Sequence, residues 1–166
     1  MSIITNGNIG PVYQPDYFEA RQVLAADSAL TVTPTVEPTF SFNVLKNERV
    51  SYRLTLFFDQ DNAGDDLQYT INTVDSDNAN VVPAFFSSTL IAVVPGGASL
   101  TSGATTTIDQ EDTVVSGATG QGMAVIQGVI HGNATTDSTF QVELAQEAAN
   151  ATTTVQEGSF LELRRF

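Results

Sequence analysis

The chain of 166 residues carries 19 aspartate and glutamate residues against six lysine and arginine residues, for a formal net charge of -13 at pH 7. This charge has the wrong sign for neutralising phosphates, so nucleic acid and anionic membranes are not expected as partners. Cysteine is absent, which excludes disulfides, thiolate metal sites and cysteine nucleophiles.

The start of the chain predicts neither secretion nor membrane insertion. MSIITNGNIGPVYQPDYFEA lacks the basic and apolar regions of a signal peptide, and no run approaches the roughly 18 apolar residues of a membrane span. We therefore expect a soluble protein that is made in, and not exported from, the cytoplasm. A chain of this length is expected to form one domain.

Residues 1–35 are predicted to form an irregular N-terminal arm, because turn signals and the prolines Pro15 and Pro34 interrupt any regular apolar period. One or two helical turns are expected from Asp16, since Tyr17, Arg21 and Leu24 fall at helical spacing. So short a helix is marginal in water by itself. The apolar side chains of the arm are therefore expected to pack on the rest of the chain or on a partner. These side chains are Val12, Tyr13, Tyr17 and Phe18.

From residue 39 the apolar period becomes two, which indicates β-strands. In RVSYRLTLFFD one face carries Val50, Tyr52, Leu54, Leu56 and Phe58. Phe57 lies on the opposite face. Further strands are predicted in FSFNVL, LQYTINTV, TLIAVV, GMAVIQGVIHG, STFQVELA and SFLELRRF, and turn clusters such as DNAGDD and SGATGQG separate them. About eight to ten short strands without a long helix predict an all-β sandwich, jelly roll or barrel over residues 36–166.

The segment 95–122 is rich in glycine, threonine and serine and is predicted to be a long loop carrying one strand. The acidic turn at residues 59–66, DQDNAGDD, could hold a cation through its carboxylates. It departs from the EF-hand spacing, because Thr70 stands where a bidentate glutamate is required. A plain turn explains the same residues, since Asp, Asn and Gly tolerate left-handed backbone angles.

Catalysis is not expected. The acidic pairs in DSDN and DQED are not positioned together by any feature of the sequence, and no serine lies in a G-x-S-x-G motif. His131 is the single histidine, so a metal centre built on several histidines is impossible. We expect this residue to pack or to form hydrogen bonds at the end of a strand, and we expect no cofactor.

The last third of the chain, GMAVIQGVIHGNATTDSTFQVELAQEAANATTTVQEGSFLELRRF, resembles the closing strands of one group of jelly-roll domains. The group includes tumour necrosis factor, the globular heads of complement collagen-like proteins and many tailed-phage structural proteins. FSFNVLKNERVSYRLTLFFD resembles the paired early strands of the same domains. The resemblance covers residues 36–166 and implies a jelly-roll β-sandwich that forms a homotrimer.

Large apolar side chains on both faces of the predicted strands support a second buried surface. The residues predicted to form the subunit interface are Phe57, Phe160, Arg164 and Phe166. Scattered exposed aromatic residues are also common on monomers, and the arm could cover them. Arg164 and Arg165 point to opposite faces of their strand, and one of them is expected to pair with a carboxylate such as Glu143 or Glu162, across the sheet or between subunits.

The sequence leads to two hypotheses of function. The first is a capsid decoration or cement protein on the surface of a phage head, trimeric through its jelly roll and anchored to the major capsid protein by the arm. The alternative is the receptor-binding head of a tail fibre or spike, which would bind glycan or protein through loops such as 95–122. Phe85 and Phe86 form the aromatic pair nearest to those loops.

Overall fold

The computed structural model describes residues 20–63, 65–96, 99–101, 106–114, 118–149 and 152–166. Within these ranges the chain forms short antiparallel strands and one turn of 3-10 helix at Pro38–Phe40. The strands are, in chain order, β1 (Ala20–Val23), β2 (Ser28–Ala29), β3 (Thr35–Val36), β4 (Phe42–Val44), β5 (Arg49–Gln60), β6 (Leu67–Val74), β7 (Phe85–Val93), β8 (Ser99–Thr101), β9 (Glu111–Val114), β10 (Gly120–His131), β11 (Ser138–Gln146), β12 (Thr153–Val155) and β13 (Phe160–Arg165).

The strands form two antiparallel sheets that pack face to face. The larger sheet has the order β1-β13-β5-β10-β7-β8, with β12 and β2 continuing it beside β5. The smaller sheet has the order β3-β11-β6-β9, with β4 also paired to β11. The neighbours β1-β13-β5-β10 and β4-β11-β6-β9 are those of a jelly roll. This confirms the predicted all-β jelly-roll sandwich, to which β7 and β8 add two strands at one edge.

The core lies between the sheets and is built by the alternation of each strand. All five residues assigned to the inner face of β5 are buried, and Phe57 on its outer face is half-buried. Phe42 stacks on Phe140 at 4.5 Å between ring centroids, and Tyr52 of the larger sheet approaches Phe140 at 4.9 Å.

In the part of the chain that the structure describes, no helix is long and apolar enough to cross a membrane.

The stretch 20–35, placed in the arm by the sequence, contributes strands to both sheets. β1 pairs with β13, β2 with β12 and β3 with β11. The helix expected from Asp16 does not extend through this stretch, because Arg21 lies in β1 and Leu24 is bonded through its backbone N–H to the Ser159 carbonyl at 2.8 Å. Strands of two to four residues are too short to show a period in sequence, and pairing with β13 overrides the weak helical pattern.

Candidate interaction surface on the larger sheet

The outer face of the larger sheet is the candidate functional site. Paired residues of antiparallel strands point to the same side of a sheet, so the register of β1, β13, β5, β10 and β7 defines which side chains share this face. The face divides into two zones along the strand direction. An apolar zone lies toward the end of β5, and a zone of arginine side chains lies toward its start.

The apolar zone crosses five adjacent strands. One row contains Val23, Phe160, Thr55, Val125 and Ile91, each opposite the next, and the neighbouring row contains Phe57, Met123 and Val93. The rings of Phe57 and Phe160 lie 6.4 Å apart at 55°. Val23, Ile91 and Val93 are between 43% and 47% exposed. A contiguous apolar surface of this kind is typical of a site that binds another macromolecule.

The centre of the apolar zone is already tightly packed within one chain. Thr55 and Val125 lie on the solvent-facing side of the sheet, yet they are only 3% and 8% exposed. The Oγ1 atom of Thr55 is buried without a hydrogen-bond partner. Neighbouring side chains on the same face, among them the Phe57 and Phe160 rings, therefore already exclude water from part of this face.

The arginine zone contains the four arginines Arg21, Arg53, Arg164 and Arg49 on the outer face, with Glu162 between Arg21 and Arg53. The Arg21 guanidinium lies 4.0 Å from the centroid of the Phe160 ring, and its Nε atom is 4.0 Å from Glu162 Oε1. The Arg164 guanidinium lies 4.9 Å from the centroid of the Phe166 ring. Stacking on aromatic rings restricts these two side chains while leaving charge at the surface.

The structure places all four residues of the predicted subunit interface on or next to this face, in two groups. Phe57 and Phe160 lie together in the apolar zone, whereas Arg164 and Phe166 meet at the end of β13, where Phe166 is 66% exposed. Their role in an interface stays a prediction. The predicted arm residues Val12, Tyr13, Tyr17 and Phe18 lie outside the described residues.

Among the apolar members of the face that sequence reasoning missed are Met123, Val125, Ile91 and Val93. Their strands were predicted, but both faces of β10 and the end of β7 are rich in apolar residues. An alternating pattern with apolar residues on both faces does not show which face is turned to the core. Only the register with β5 assigns these side chains to the outside.

One arginine of the C-terminal pair, Arg165, binds a carboxylate other than the two named from the sequence. Arg165 Nη1 lies 2.7 Å from Glu48 Oε2, and Arg165 Nη2 donates a hydrogen bond to the Asn43 carbonyl at 3.0 Å. Glu48 lies in the turn before β5, which the antiparallel pairing of β5 with β13 brings beside the end of the chain. Neither Glu143 nor Glu162 is the partner of Arg165.

The acidic turn at residues 59–66 uses its carboxylates to bind the segment before β12. Asp65 is fully buried and accepts hydrogen bonds from the Ala148 backbone N–H at 2.9 Å and from Thr153 Oγ1 at 2.7 Å. Asp61 accepts one from the Thr152 backbone N–H at 2.7 Å. Over the described residues, no group of three or more histidine, cysteine, aspartate and glutamate side chains is arranged to hold a metal ion.

A shallow cleft of about 450 Å³ lies at the start of β7. Its walls include the exposed side chains of Val82 and Phe85, the buried Ile108 and a hydrogen bond from Asn80 Nδ2 to Asp109 Oδ2 of 3.0 Å. Phe85 is opposite His131, which in turn is opposite Arg49 of the outer face. The cleft thus combines an exposed ring with polar groups beside the arginine zone.

No protein-family model matches the chain, and no curated protein matches it. Among solved structures, one described as the structure of infectious bursal disease virus Gx strain aligns with 99% of this chain at 14% identity and a TM-score of 0.26. The chain spans 46% of the length of that viral chain. A TM-score of this size shows neither a common fold nor a common role.

Proposed function

We propose that this protein is a structural component of a virion, specifically a capsid decoration or cement protein on a phage head. In this proposal it forms a homotrimer through the outer face of its larger sheet and binds the major capsid protein through its N-terminal arm. The apolar zone is the observation that supports self-association most directly. The resemblance of residues 36–166 to trimeric phage and tumour necrosis factor-like jelly rolls supports the assignment to a virion.

Simple energetics supports the proposed self-association and attachment. Burial of apolar surface contributes about 25 cal/mol per Å², and a stable interface buries about 800 Å² on each partner. A face that spans five strands offers an area of that order. Three arms on one trimer would then bind the capsid together, so that several weak contacts give durable attachment.

Self-association is tested by light scattering coupled to size-exclusion chromatography. We expect the wild-type protein to elute as a trimer and the Ile91→Ser/Val93→Ser variant to shift toward the single chain. Val32→Ser is the matched control, because Val32 is exposed to a similar degree, 46%, but lies away from the larger sheet's outer face. A wild-type protein that stays a single chain at high concentration would contradict the proposal.

Capsid attachment is tested with a truncation that ends before β1. Because β1, β2 and β3 lie in the stretch that begins at Ala20, the variant should lack residues 1–19 and keep the jelly roll complete. We expect it to retain its oligomeric state and to lose binding to capsids that lack the protein. Full occupancy of the capsid by the truncated trimer would show that the arm is not the anchor.

The cleft beside Phe85 favours a second candidate, the receptor-binding head of a tail fibre or spike. An exposed ring next to amide and carboxylate groups is a suitable surface for the apolar face and hydroxyl groups of a sugar. In this case the isolated protein would bind to a glycan array, and Phe85→Ala would abolish that binding. Leu45→Ala would serve as the control, because Leu45 is exposed to a similar degree and does not line the cleft.

A further inference from the structure

A small chamber adjoins the cleft at the start of β7, because Phe86 and Thr107 line both cavities. The chamber lies between the two sheets, and its walls include Ser88 of β7, Tyr69 of β6 and Asp112 of β9. Its volume is about 10 Å³, which is room for about one group of the size of a water molecule. The wide cleft and the narrow chamber are therefore neighbouring parts of one cavity.

One polar group of the chamber lacks a partner. Ser88 is 4% exposed, and its Oγ atom is buried without a hydrogen-bond partner in the part of the chain that the structure describes. Burial raises the pKa of Tyr52 and the nearby Ser88 offsets part of that rise, but the Tyr52 hydroxyl donates its hydrogen bond to the Ser87 carbonyl at 3.5 Å. A buried hydroxyl without a partner is unfavourable, so a ligand that supplied the partner would remove this cost.

The acidic groups of the cavity favour a cation. Asp112 Oδ2 accepts a hydrogen bond from Tyr69 Oη at 2.9 Å, and Asp109 Oδ2 accepts one from Asn80 Nδ2 at 3.0 Å. Each carboxylate oxygen has two lone pairs, so both aspartates keep acceptor sites for a ligand. The segment 95–122, which supplies these two aspartates, contains no lysine, arginine or histidine.

The walls of the cleft suit an aliphatic stem that ends in a positive charge. Val82 and Ile108 provide apolar surface. Phe85 and Phe86 line the cleft as well, and an aromatic ring attracts a cation over its face. Arg49 lies two strands away from Phe85 in the register, which is about 10 Å by strand spacing. At this distance salt screens most of its repulsion.

We propose that this cavity binds the lysine side chain of a partner protein. The ammonium group enters the chamber and donates hydrogen bonds to Asp112 and Ser88, while the four-carbon stem lies against Val82 and Ile108. An ammonium group has three donors and a positive charge, so it matches a chamber of acceptors better than a neutral sugar hydroxyl does. This binding requires neither the trimer nor the arm, and it goes beyond the proposed function.

An NMR titration of the isotope-labelled full-length protein tests the site, with Nα-acetyl-lysine amide as the probe. We expect saturable shifts of the Ser88 and Asp112 backbone amides, with a dissociation constant of about 1 to 10 mM for a ligand of this size. Nα-acetyl-norleucine amide is the matched control, because it has the same stem without the ammonium group, and it should cause no saturable shift. Equal binding of the two compounds would overturn the ammonium contact.

Two substitutions locate the bound group. Asp112→Asn keeps an acceptor oxygen but removes the charge, and we expect the dissociation constant to rise about tenfold or more. Ser88→Ala removes the unpartnered hydroxyl and should weaken binding about threefold or more without lowering the midpoint of urea unfolding. Glu157→Gln is the control, because Glu157 is an exposed carboxylate that does not line the cavity. Unchanged binding in both Asp112→Asn and Ser88→Ala would refute the site.

A sugar probe separates the two possible uses of the cleft. If methyl α-glucoside shifted the same amides and the lysine compound did not, the lysine site would be wrong and the receptor-binding head would be favoured. If neither compound bound, the lysine site would be wrong while the proposed function stood. That function is decided separately, by light scattering and by capsid binding.

Discussion

At the scale of single residues, one missing side chain permits the close approach of β7 and β10. Gly128 is opposite Ser88 on one side and Tyr52 on the other. A Cβ atom at this position would overlap the Ser87 carbonyl oxygen and lie 2.7 Å from Tyr52 Oη. A backbone carbonyl in a paired strand cannot move aside as a flexible side chain can, so this glycine is required by packing.

Gly128→Ala should therefore destabilise the protein by about 1 to 3 kcal/mol, the usual range for overpacking. Gln127→Ala is the control, because Gln127 is exposed on the neighbouring position of the same strand and should change the free energy of unfolding by less than about 0.5 kcal/mol. Urea unfolding followed by circular dichroism measures both. Equal stabilities of the two variants would contradict the steric argument.

At the scale of elements, the acidic turn between β5 and β6 is joined to the segment between β11 and β12. The carboxylate of Asp65 accepts hydrogen bonds from Ala148 and Thr153, and the carboxylate of Asp61 accepts one from Thr152. These bonds tie a turn that follows the larger sheet to a connection that leaves the smaller one. The clustered aspartates thus have a structural role at one end of the sandwich.

Asp65→Ala should destabilise the protein by about 1 to 3 kcal/mol, because the buried Thr153 hydroxyl and the partly buried Ala148 N–H would lose their carboxylate acceptor. Glu147→Ala removes an exposed carboxylate in the same segment and should cost less than about 0.5 kcal/mol. Chemical unfolding of the two variants provides the comparison. The role assigned to Asp65 would be refuted by a loss no larger than that of Glu147→Ala.

At the scale of the whole molecule, two buried tyrosines make the stability of the fold decrease at alkaline pH. Burial raises the pKa of Tyr52 in the larger sheet. Burial, and next the neighbouring Asp112 carboxylate, raise the pKa of Tyr69 in the smaller sheet. An unfolded tyrosine has a pKa of about 10. Above that pH the unfolded chain releases these protons while the folded chain retains them, so stability is complete below pH 10 and is lost as the pH rises further.

The free energy of unfolding should thus be nearly constant from about pH 8 to 9 and fall above about pH 10, by up to about 1.4 kcal/mol per pH unit for each tyrosine. Urea titrations at closely spaced pH values measure this slope. Tyr52→Phe should reduce the slope, since only one of the two groups would remain. An unchanged slope in that variant would show that Tyr52 does not cause the alkaline loss.

The strands β5 and β1 differ in how much of their structure can be predicted from the sequence. The alternation in β5 assigns Val50, Tyr52 and Leu54 to the core, and the structure confirms it because a half-buried strand has an unambiguous period of two. The pairing of β1 with β13 is invisible in sequence, where Tyr17, Arg21 and Leu24 suggest a helix. Its few hydrogen bonds join residues about 140 positions apart along the chain, and no local pattern encodes such a contact.

The sequence by itself determined the fold class, the acidic balance, the absence of cysteine chemistry and the inner face of the strands with a clear alternation. All of these depend on composition or on neighbours a few residues apart. Only the tertiary structure decided that Phe57 and Phe160 join an apolar zone, that the four arginines share the other half of the face, and that Arg165 pairs with Glu48. The reason is that strand order and register bring together residues that are distant in sequence, and those long-range pairings are selected by packing of the whole sandwich.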